Sequence, residues 1–267
     1  MRIAQFMRAA VAAVAIGFAG LGAVSDAKAV TLNDIQSRGK VRIGVLTGAP
    51  PMGMIDEKGN PSGYDVDVAN LLAGYLGLPV ELVPLTPPAR IPALQTGKVD
   101  FLVATLAPTG ERAKTVMFTQ PYSAFNMDII SGPDQKFAKL ADLQGKRVAV
   151  NRGSSQETAL RKANVPGLEI VVFEDDSTSA QAVIAGQADA VALPSTVGDA
   201  IIKQRPDAKL QVGFTFFQQG NSMATKLDDF ELRQWLNTSI YLMKISGDLD
   251  RIAVKWTGRP MPVLPTF

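Results

Sequence analysis

Residues 99–112 read VDFLVATLAPTGER. The β-branched and aromatic apolar run, which ends before Pro108, predicts a buried strand. A turn follows, and Thr109 lies at the N-cap of a predicted helix whose third residue is Arg112. N–H groups at a helix start bind anions, and a guanidinium binds a carboxylate with two parallel hydrogen bonds. The stretch therefore predicts a carboxylate site at the end of a strand, although a helix cap beside a surface arginine fits it equally well.

Composition excludes several classes of protein. The 267 residues include no Cys and no His, which excludes disulfides, zinc sites built from those residues and His-based catalytic triads. The formal net charge of +2 comes from residues 1–29, which hold Arg2, Arg8 and Lys28 against Asp26. The rest of the chain is formally neutral and has no bulk attraction to nucleic acid or to an anionic membrane. No metal, cofactor or catalytic residue is predicted.

Residues 1–29 have the pattern of a cleavable signal peptide. Arg2 and Arg8 lie at the start, residues 9–24 are small and apolar, and Ala27-Lys28-Ala29 supplies the cleavage site. The apolar stretch is too short and too rich in glycine for a spanning helix. Because no Cys follows it, a lipid anchor is not predicted. We expect a freely soluble exported protein.

Strand and helix patterns alternate along the remaining chain, which predicts mostly parallel sheets flanked by helices. Asp65 is the predicted N-cap of the first long helix, 66–76, and the last two helices are predicted at 230–245 and 249–256. The alternating series runs twice, with extended crossings near 127–131 and 220–225. Two lobes are predicted, with lobe 1 formed by 30–127 and 223–267, and lobe 2 by 128–222.

Six fragments in this order resemble bacterial extracellular solute-binding protein family 3, the periplasmic proteins that deliver polar amino acids to ABC importers. The fragments are GYDVDVA at 63–69, RIPAL at 90–94, ATLAPTGER at 104–112, FTQPY at 118–122, LQGKRV at 143–148 with GSSQE at 153–157, and AGQADA at 185–190. The resemblance covers nearly all of the chain after residue 29. It implies an α/β, two-lobed periplasmic-binding-protein-like (type II) fold, in which each lobe is a mostly parallel sheet flanked by helices and two crossing strands act as the hinge.

The resemblance also implies a ligand site between the lobes. Arg112 matches the arginine that binds the α-carboxylate of the ligand, and Arg90 lies where acidic-amino-acid binders carry an arginine for the distal carboxylate. Glu157 is interpreted as the partner of Ser154 in a capping box. The full set of implied ligand-binding residues is Arg112, Thr105, Ala107, Thr109, Ser154, Ser155, Gln156, Met52, Arg90 and Pro194.

The chain departs from the family pattern at three positions. Pro194 lies where the family usually has an acidic residue for the ammonium group of the ligand. Either Asn151 or Ser195 replaces that residue, or the ligand lacks an α-ammonium, because a buried ammonium without a partner is costly. Met52 lies in a loop that often presents aromatic side chains, and Leu46 lies where acidic-amino-acid binders can carry another arginine.

The resemblance implies a non-enzymatic, monomeric receptor in the periplasm that captures a small carboxylate or amino acid and closes for delivery to the membrane permease subunits of an ABC importer. The alternative is a periplasmic dehydratase of the cyclohexadienyl dehydratase type, which shares the fold and uses a carboxylate near Glu157. A third class, the extracellular half of a membrane sensor, needs a spanning segment after the domain. No stretch of about 20 apolar residues follows it.

Overall fold

The computed structural model describes residues 31–262, so the predicted signal peptide lies outside the described residues. Within this range the strands are β1 (Val41–Leu46), β2 (Met54–Ile55), β3 (Pro61–Ser62), β4 (Val80–Leu85), β5 (Phe101–Leu106), β6 (Met117–Ser131), β7 (Arg147–Asn151), β8 (Glu169–Phe173), β9 (Ala190–Pro194) and β10 (Gln211–Thr225). The α-helices are α1 (Leu32–Arg38), α2 (Tyr64–Leu76), α3 (Arg90–Gln95), α4 (Ser155–Ala163), α5 (Asp176–Ile184), α6 (Ser195–Gln204), α7 (Phe230–Ile245) and α8 (Asp248–Thr257).

Eight strands form one sheet in the order β4-β1-β5-β10-β6-β9-β7-β8. The two ends of this sheet are parallel: β1 pairs with β4 and β5, and β7 pairs with β8 and β9. We call the end with β4, β1 and β5 the first lobe, which also includes α1–α3, α7 and α8. The end with β9, β7 and β8, together with α4–α6, is the second lobe. The predicted α/β, two-lobed fold with mostly parallel sheets is confirmed.

The two lobes are joined by β6 and β10, which run antiparallel to each other from Met117 opposite Thr225 to Ser131 opposite Gln211. Their register shifts at several points, including between Asn221 and Ser222. Such irregularities bend a ladder and increase its twist, which suits strands that belong to both lobes. The segments predicted as crossings, 127–131 and 220–225, are the C-terminal parts of these two strands.

Each lobe has an apolar core that its sequence pattern anticipates. Every residue of β5 is buried, as expected for a strand covered on both faces. Helix α7 has its predicted bounds, and it buries Leu232, Leu236 and Met243 on one face. One apolar cluster contains residues of both lobes, including Leu46 of the first and Leu193 of the second.

Helix α2 corrects one local prediction. It begins at Tyr64, and its N-cap is Gly63 with φ of +129°, not Asp65. A Cβ at Gly63 would lie 2.7 Å from the backbone oxygen of Met52, so glycine allows this close approach. Asp65 therefore falls inside the first helical turn, where its side chain points into the protein and is fully buried.

Candidate functional site

A cavity of about 30 Å³ lies between the lobes, beside the ends of β5, β7 and β9. A space of that size holds little more than water, so a solute as large as an amino acid enters only when the lobes move apart. Most of the residues that the sequence singles out line this cavity: Arg90, Thr105, Ala107, Arg112, Ser154, Ser155, Gln156 and Pro194.

Arg112 bridges the two lobes. Its Nη1 donates to the carbonyl oxygen of Ala107 at 2.8 Å, and its Nη2 donates to the carbonyl oxygen of Gly153 at 2.8 Å in the second lobe. Desolvation lowers the pKa of Arg112, although the group stays cationic at neutral pH. Arginine has five N–H donors, so these two bonds leave donors on the same guanidinium for an anionic ligand.

The predicted helix after Thr109 is wrong. Only a 3₁₀ turn, Arg112–Lys114, forms there. Thr109 still accepts a hydrogen bond from the N–H of Arg112 at 3.2 Å, but it lines a neighbouring apolar groove rather than the cavity between the lobes. A single 3₁₀ turn has no helix N-terminus to attract an anion, so the charge at this end of β5 comes from the guanidinium itself.

Arg90 is buried and holds the end of β5 in place. Its Nε donates to the carbonyl oxygen of Pro87 at 2.9 Å, and its Nη1 donates to those of Ala104 and Thr105 at 2.9 and 3.3 Å. Burial first, and the nearby charge of Arg112 second, lower the pKa of Arg90 to about 9. The side chain therefore serves the backbone of β5 while also adding positive charge to the cavity wall.

Thr105 has a positive φ of 42°, which is uncommon for a residue other than glycine. Its N–H donates to the hydroxyl of Tyr122 at 3.0 Å, and that hydroxyl donates to Oδ1 of Asp65 at 2.7 Å. Burial raises the pKa of Asp65 to about 7. This chain of hydrogen bonds fixes a strained backbone at the cavity wall, a device that often occurs at ligand sites.

The second lobe contributes the start of α4. Ser154 accepts from the N–H of Glu157 at 3.1 Å, as the capping-box prediction requires. The other half of the box differs, because Glu157 Oε2 accepts from the N–H of Gly153 at 2.8 Å and its Oε1 binds Arg161. Next to the cap, the Ser155 hydroxyl donates to the side-chain oxygen of Gln219 on β10.

Asp176 is a cavity residue that was not predicted from the sequence. It is 3% exposed and lines the cavity as the first residue of α5. Its Oδ1 accepts from Asn151 Nδ2 at 2.6 Å and from Gln156 Nε2 at 3.3 Å. Burial raises the pKa of Asp176 to about 7, while the charge of Arg90 lowers it. Its neighbour Asp175 takes the N-cap role, accepting from the N–H of Thr178 at 2.8 Å.

The sequence did contain a signal for Asp176. Two consecutive aspartates, Asp175 and Asp176, lie at the start of α5, and a helix has one N-cap, so the second aspartate is free for another role. Pro194 ends β9 and lines the cavity, whereas Ser195, the first residue of α6, is not part of its lining. Met52 is buried in the core of the first lobe and also lies outside the cavity lining.

A second contact between the lobes lies beside the cavity. The carbonyl oxygen of Gly48 accepts from the N–H of Ser177 at 3.0 Å and from its hydroxyl at 3.1 Å. A Cβ at Gly48 would lie 2.6 Å from a carboxylate oxygen of Asp175. The loop after β1 can therefore reach the start of α5 only because residue 48 is glycine.

Two further findings bear on function. Among residues 31–262, no group of three or more His, Cys, Asp or Glu side chains could hold a metal ion. No helix in the same range is long and apolar enough to cross a membrane.

A family model and a known binding protein both match most of this chain. The model of the family described as bacterial extracellular solute-binding proteins, family 3, matches residues 41–259. The L-cystine-binding protein TcyJ of Escherichia coli (strain K12) is 28% identical over 263 residues, which cover 97% of this chain and 98% of that protein.

Two solved structures have a fold similar to that of this chain. The solute receptor for L-cysteine of Neisseria gonorrhoeae has a TM-score of 0.79 and 28% identity, covering 85% of this chain and 93% of that chain. The ancestral amino acid-binding protein AncCDT-1, described as a precursor of cyclohexadienyl dehydratase, has a TM-score of 0.78 and 34% identity, covering 85% and 99%.

Proposed function

This chain belongs to bacterial extracellular solute-binding protein family 3, and on that premise we propose that it captures a small amino acid between its lobes as the binding component of an ABC importer. The observation that carries the proposal is the position of Arg112, whose guanidinium binds Ala107 in the first lobe and Gly153 in the second. A carboxylate bound there contacts both lobes at once.

Closure follows from these contacts. The solute enters when the lobes are apart, and its carboxylate binds Arg112 and the N–H groups near Thr105 and the start of α4. The bonds from Arg112 to Gly153 and from Ser177 to Gly48 then form across the cleft. A ligand that contacts both lobes stabilises the closed arrangement over the open one by its differential affinity.

The protein acts as a periplasmic monomer, exported through its signal peptide, and the closed form presents both lobes to the permease subunits. The names of the relatives support an amino acid as the solute, since TcyJ is an L-cystine-binding protein and the Neisseria receptor is for L-cysteine.

The geometry disfavours the dehydratase alternative. Glu157, the carboxylate for such chemistry, binds the N–H of Gly153 and the guanidinium of Arg161, and it is not part of the cavity lining. The relative AncCDT-1 is itself described as an amino acid-binding protein. Release of phenylpyruvate from prephenate by the purified protein would reverse this assignment.

Arg112→Ala tests the site. A thermal-shift screen of the wild type against L-amino acids and L-cystine identifies a ligand, and calorimetry then measures its affinity for each variant. Loss of a charged carboxylate contact is expected to weaken binding by about 100-fold or more. Arg205→Ala is the matched control, because Arg205 forms an exposed pair with Asp207 away from the cleft. Unchanged affinity in Arg112→Ala, with a normal melting temperature, would refute the proposal.

A further inference from the structure

The parallel strands of the second lobe end at one edge, beside the cavity. Pro194 ends β9 and Asn151 ends β7, the strand between β9 and β8. Asp176 follows the end of β8 at the first turn of α5. All three residues line the cavity. The carboxylate of Asp176 therefore lies two strands away from the end of β9 on the same edge, where side chains after parallel strands converge.

The hydrogen bonds of this edge leave one buried acceptor without a partner. Asn151 donates its Nδ2 to Asp176 at 2.6 Å, which fixes the amide orientation because two oxygens cannot share that contact. Asn151 Oδ1 is then an acceptor, and it has no hydrogen-bond partner among the described residues although the side chain is 4% exposed. A buried acceptor without a donor is costly, so this oxygen indicates a ligand that donates.

Arg90 is not an ion-pair partner of Asp176. No nitrogen of Arg90 forms an ion pair with Asp176 within 4.0 Å, and the Arg90 guanidinium is bonded to three backbone carbonyls of the first lobe. Among residues 31–262, the hydrogen bonds of the Asp176 side chain come from two amide groups of its own lobe, those of Asn151 and Gln156. Asp176 therefore has no ion-pair partner among the described residues, and its carboxyl group is available to a cation in the cavity.

Building on the proposed function, we propose that Asp176 and Asn151 together form the subsite for the α-ammonium of the solute, in place of an acidic residue at position 194. An ammonium has three donors and no acceptor, which suits one carboxylate and one amide oxygen. Arg112 on the opposite wall takes the carboxylate of the same molecule. The solute class is therefore a zwitterionic α-amino acid, and the analogous 2-hydroxy acids are excluded because they bring no positive charge to Asp176.

Arg112 and Asp176 line one cavity, so a ligand that bridges them carries closely spaced opposite charges. In an α-amino acid a single carbon separates the two charged groups. Burial of either group alone is costly, whereas a zwitterion supplies a partner to each wall.

The experiment compares matched ligand pairs on matched variants. Wild type, Asp176→Asn, Asn151→Ala and Asp175→Asn are titrated with L-alanine against L-lactate, L-aspartate against L-malate, and the best amino acid from the thermal-shift screen against its 2-hydroxy analogue. Asp176→Asn is isosteric, and Asp175→Asn keeps an N-cap residue of equal quality on the neighbouring position. Melting temperatures verify that each variant is folded.

We expect the wild type to bind amino acids and to reject their 2-hydroxy analogues by about 100-fold or more. Asp176→Asn loses about 100-fold in affinity for the amino acid, Asn151→Ala about tenfold, and Asp175→Asn less than about threefold. Equal binding of amino and hydroxy acids by the wild type, or full amino acid affinity in Asp176→Asn, would overturn the inference while Arg112→Ala still tests the proposed function. Binding that also survives Arg112→Ala, or no binding of any of these ligands, would overturn both.

Discussion

The two walls of the cleft carry opposite hydrogen-bonding chemistry. The wall of the first lobe presents donors, the guanidinium groups of Arg90 and Arg112, whereas the wall of the second lobe presents acceptors, Asp176 and Asn151. Desolvation lowers the pKa of both arginines and raises that of Asp176. Each wall is therefore charged and partly desolvated, so its burial without a ligand is energetically unfavourable.

The two walls are also supported differently. The donor wall rests on backbone carbonyls and on the chain from Thr105 through Tyr122 to Asp65. The acceptor wall rests on two side-chain amides, Asn151 and Gln156. The donor wall is therefore part of the backbone framework of the first lobe, whereas the acceptor wall is held by side chains. Substitutions in the acceptor wall are expected to change ligand preference with little effect on the fold.

The largest effect on stability is expected from Arg90→Met, which breaks the donor wall. The change leaves the carbonyls of Pro87, Ala104 and Thr105 without their donor and removes a positive charge near Asp65 and Asp176. We expect the free energy of unfolding to fall by about 3 kcal/mol or more, measured by urea denaturation. Arg112→Ala is the comparison, with a loss under about 1 kcal/mol. Equal losses in the two variants would contradict a structural role specific to Arg90.

An intermediate effect is expected in the pH dependence of stability. The pKa of Asp176 and that of Asp65 are raised to about 7 in the folded protein from 3.8. The folded state therefore binds more protons than the unfolded state between about pH 4 and pH 7, so these two groups lower stability as pH rises through that window.

The Asp176→Asn variant distinguishes the contribution of Asp176 to this pH dependence from that of Asp65. The variant is expected to match the wild type near pH 4 and to become progressively more stable than it up to about pH 7, with Asp65 unchanged as an internal reference. The groups that face Asp176 are Arg90 and Asp175, and both remain in the variant. Denaturation series at pH 4, 5.5, 7 and 8 check this; a constant difference across the series would show that burial of the Asp176 charge is not the cause.

The smallest effect is expected from Tyr122→Phe. Removing the hydroxyl takes a donor from Asp65 and an acceptor from the N–H of Thr105, which costs about 1–3 kcal/mol of stability. Affinity for the amino acid is expected to fall as well, because the strained backbone of Thr105 relaxes away from the cavity. Tyr241→Phe, at an exposed tyrosine of α7, is the control. Unchanged affinity in Tyr122→Phe would limit this network to a structural role.

Most of the fold follows from local pattern. The periodicity of α7 predicts its bounds, and the apolar run before Pro108 predicts the buried strand β5. Arg112 can be singled out because the strand, the turn and the arginine are adjacent in sequence. In the same way Ser154 is recognisable as a cap from the residues that follow it.

The errors occur where a side chain acts over a long sequence distance. Asp65 fits an N-cap by its position, yet its partner is Tyr122, 57 residues away. Asp176 lies beside a genuine cap residue, and its cavity partners, Asn151 and Gln156, are 25 and 20 residues away. The predicted helix after Thr109 shortens to one 3₁₀ turn, since the chain must enter β6 a few residues later.

The sequence by itself determined the alternation of strands and helices, the family and the arginine at the end of β5, because these depend on patterns within a few residues. Only the tertiary structure decided which carboxylates are buried, that Arg90 serves the backbone of β5, and that Asp176 and Asn151 share the edge where β7, β8 and β9 end. The physical reason is that a residue's charge and hydrogen-bonding role depend on the desolvation and on the partners that the folded chain brings to it.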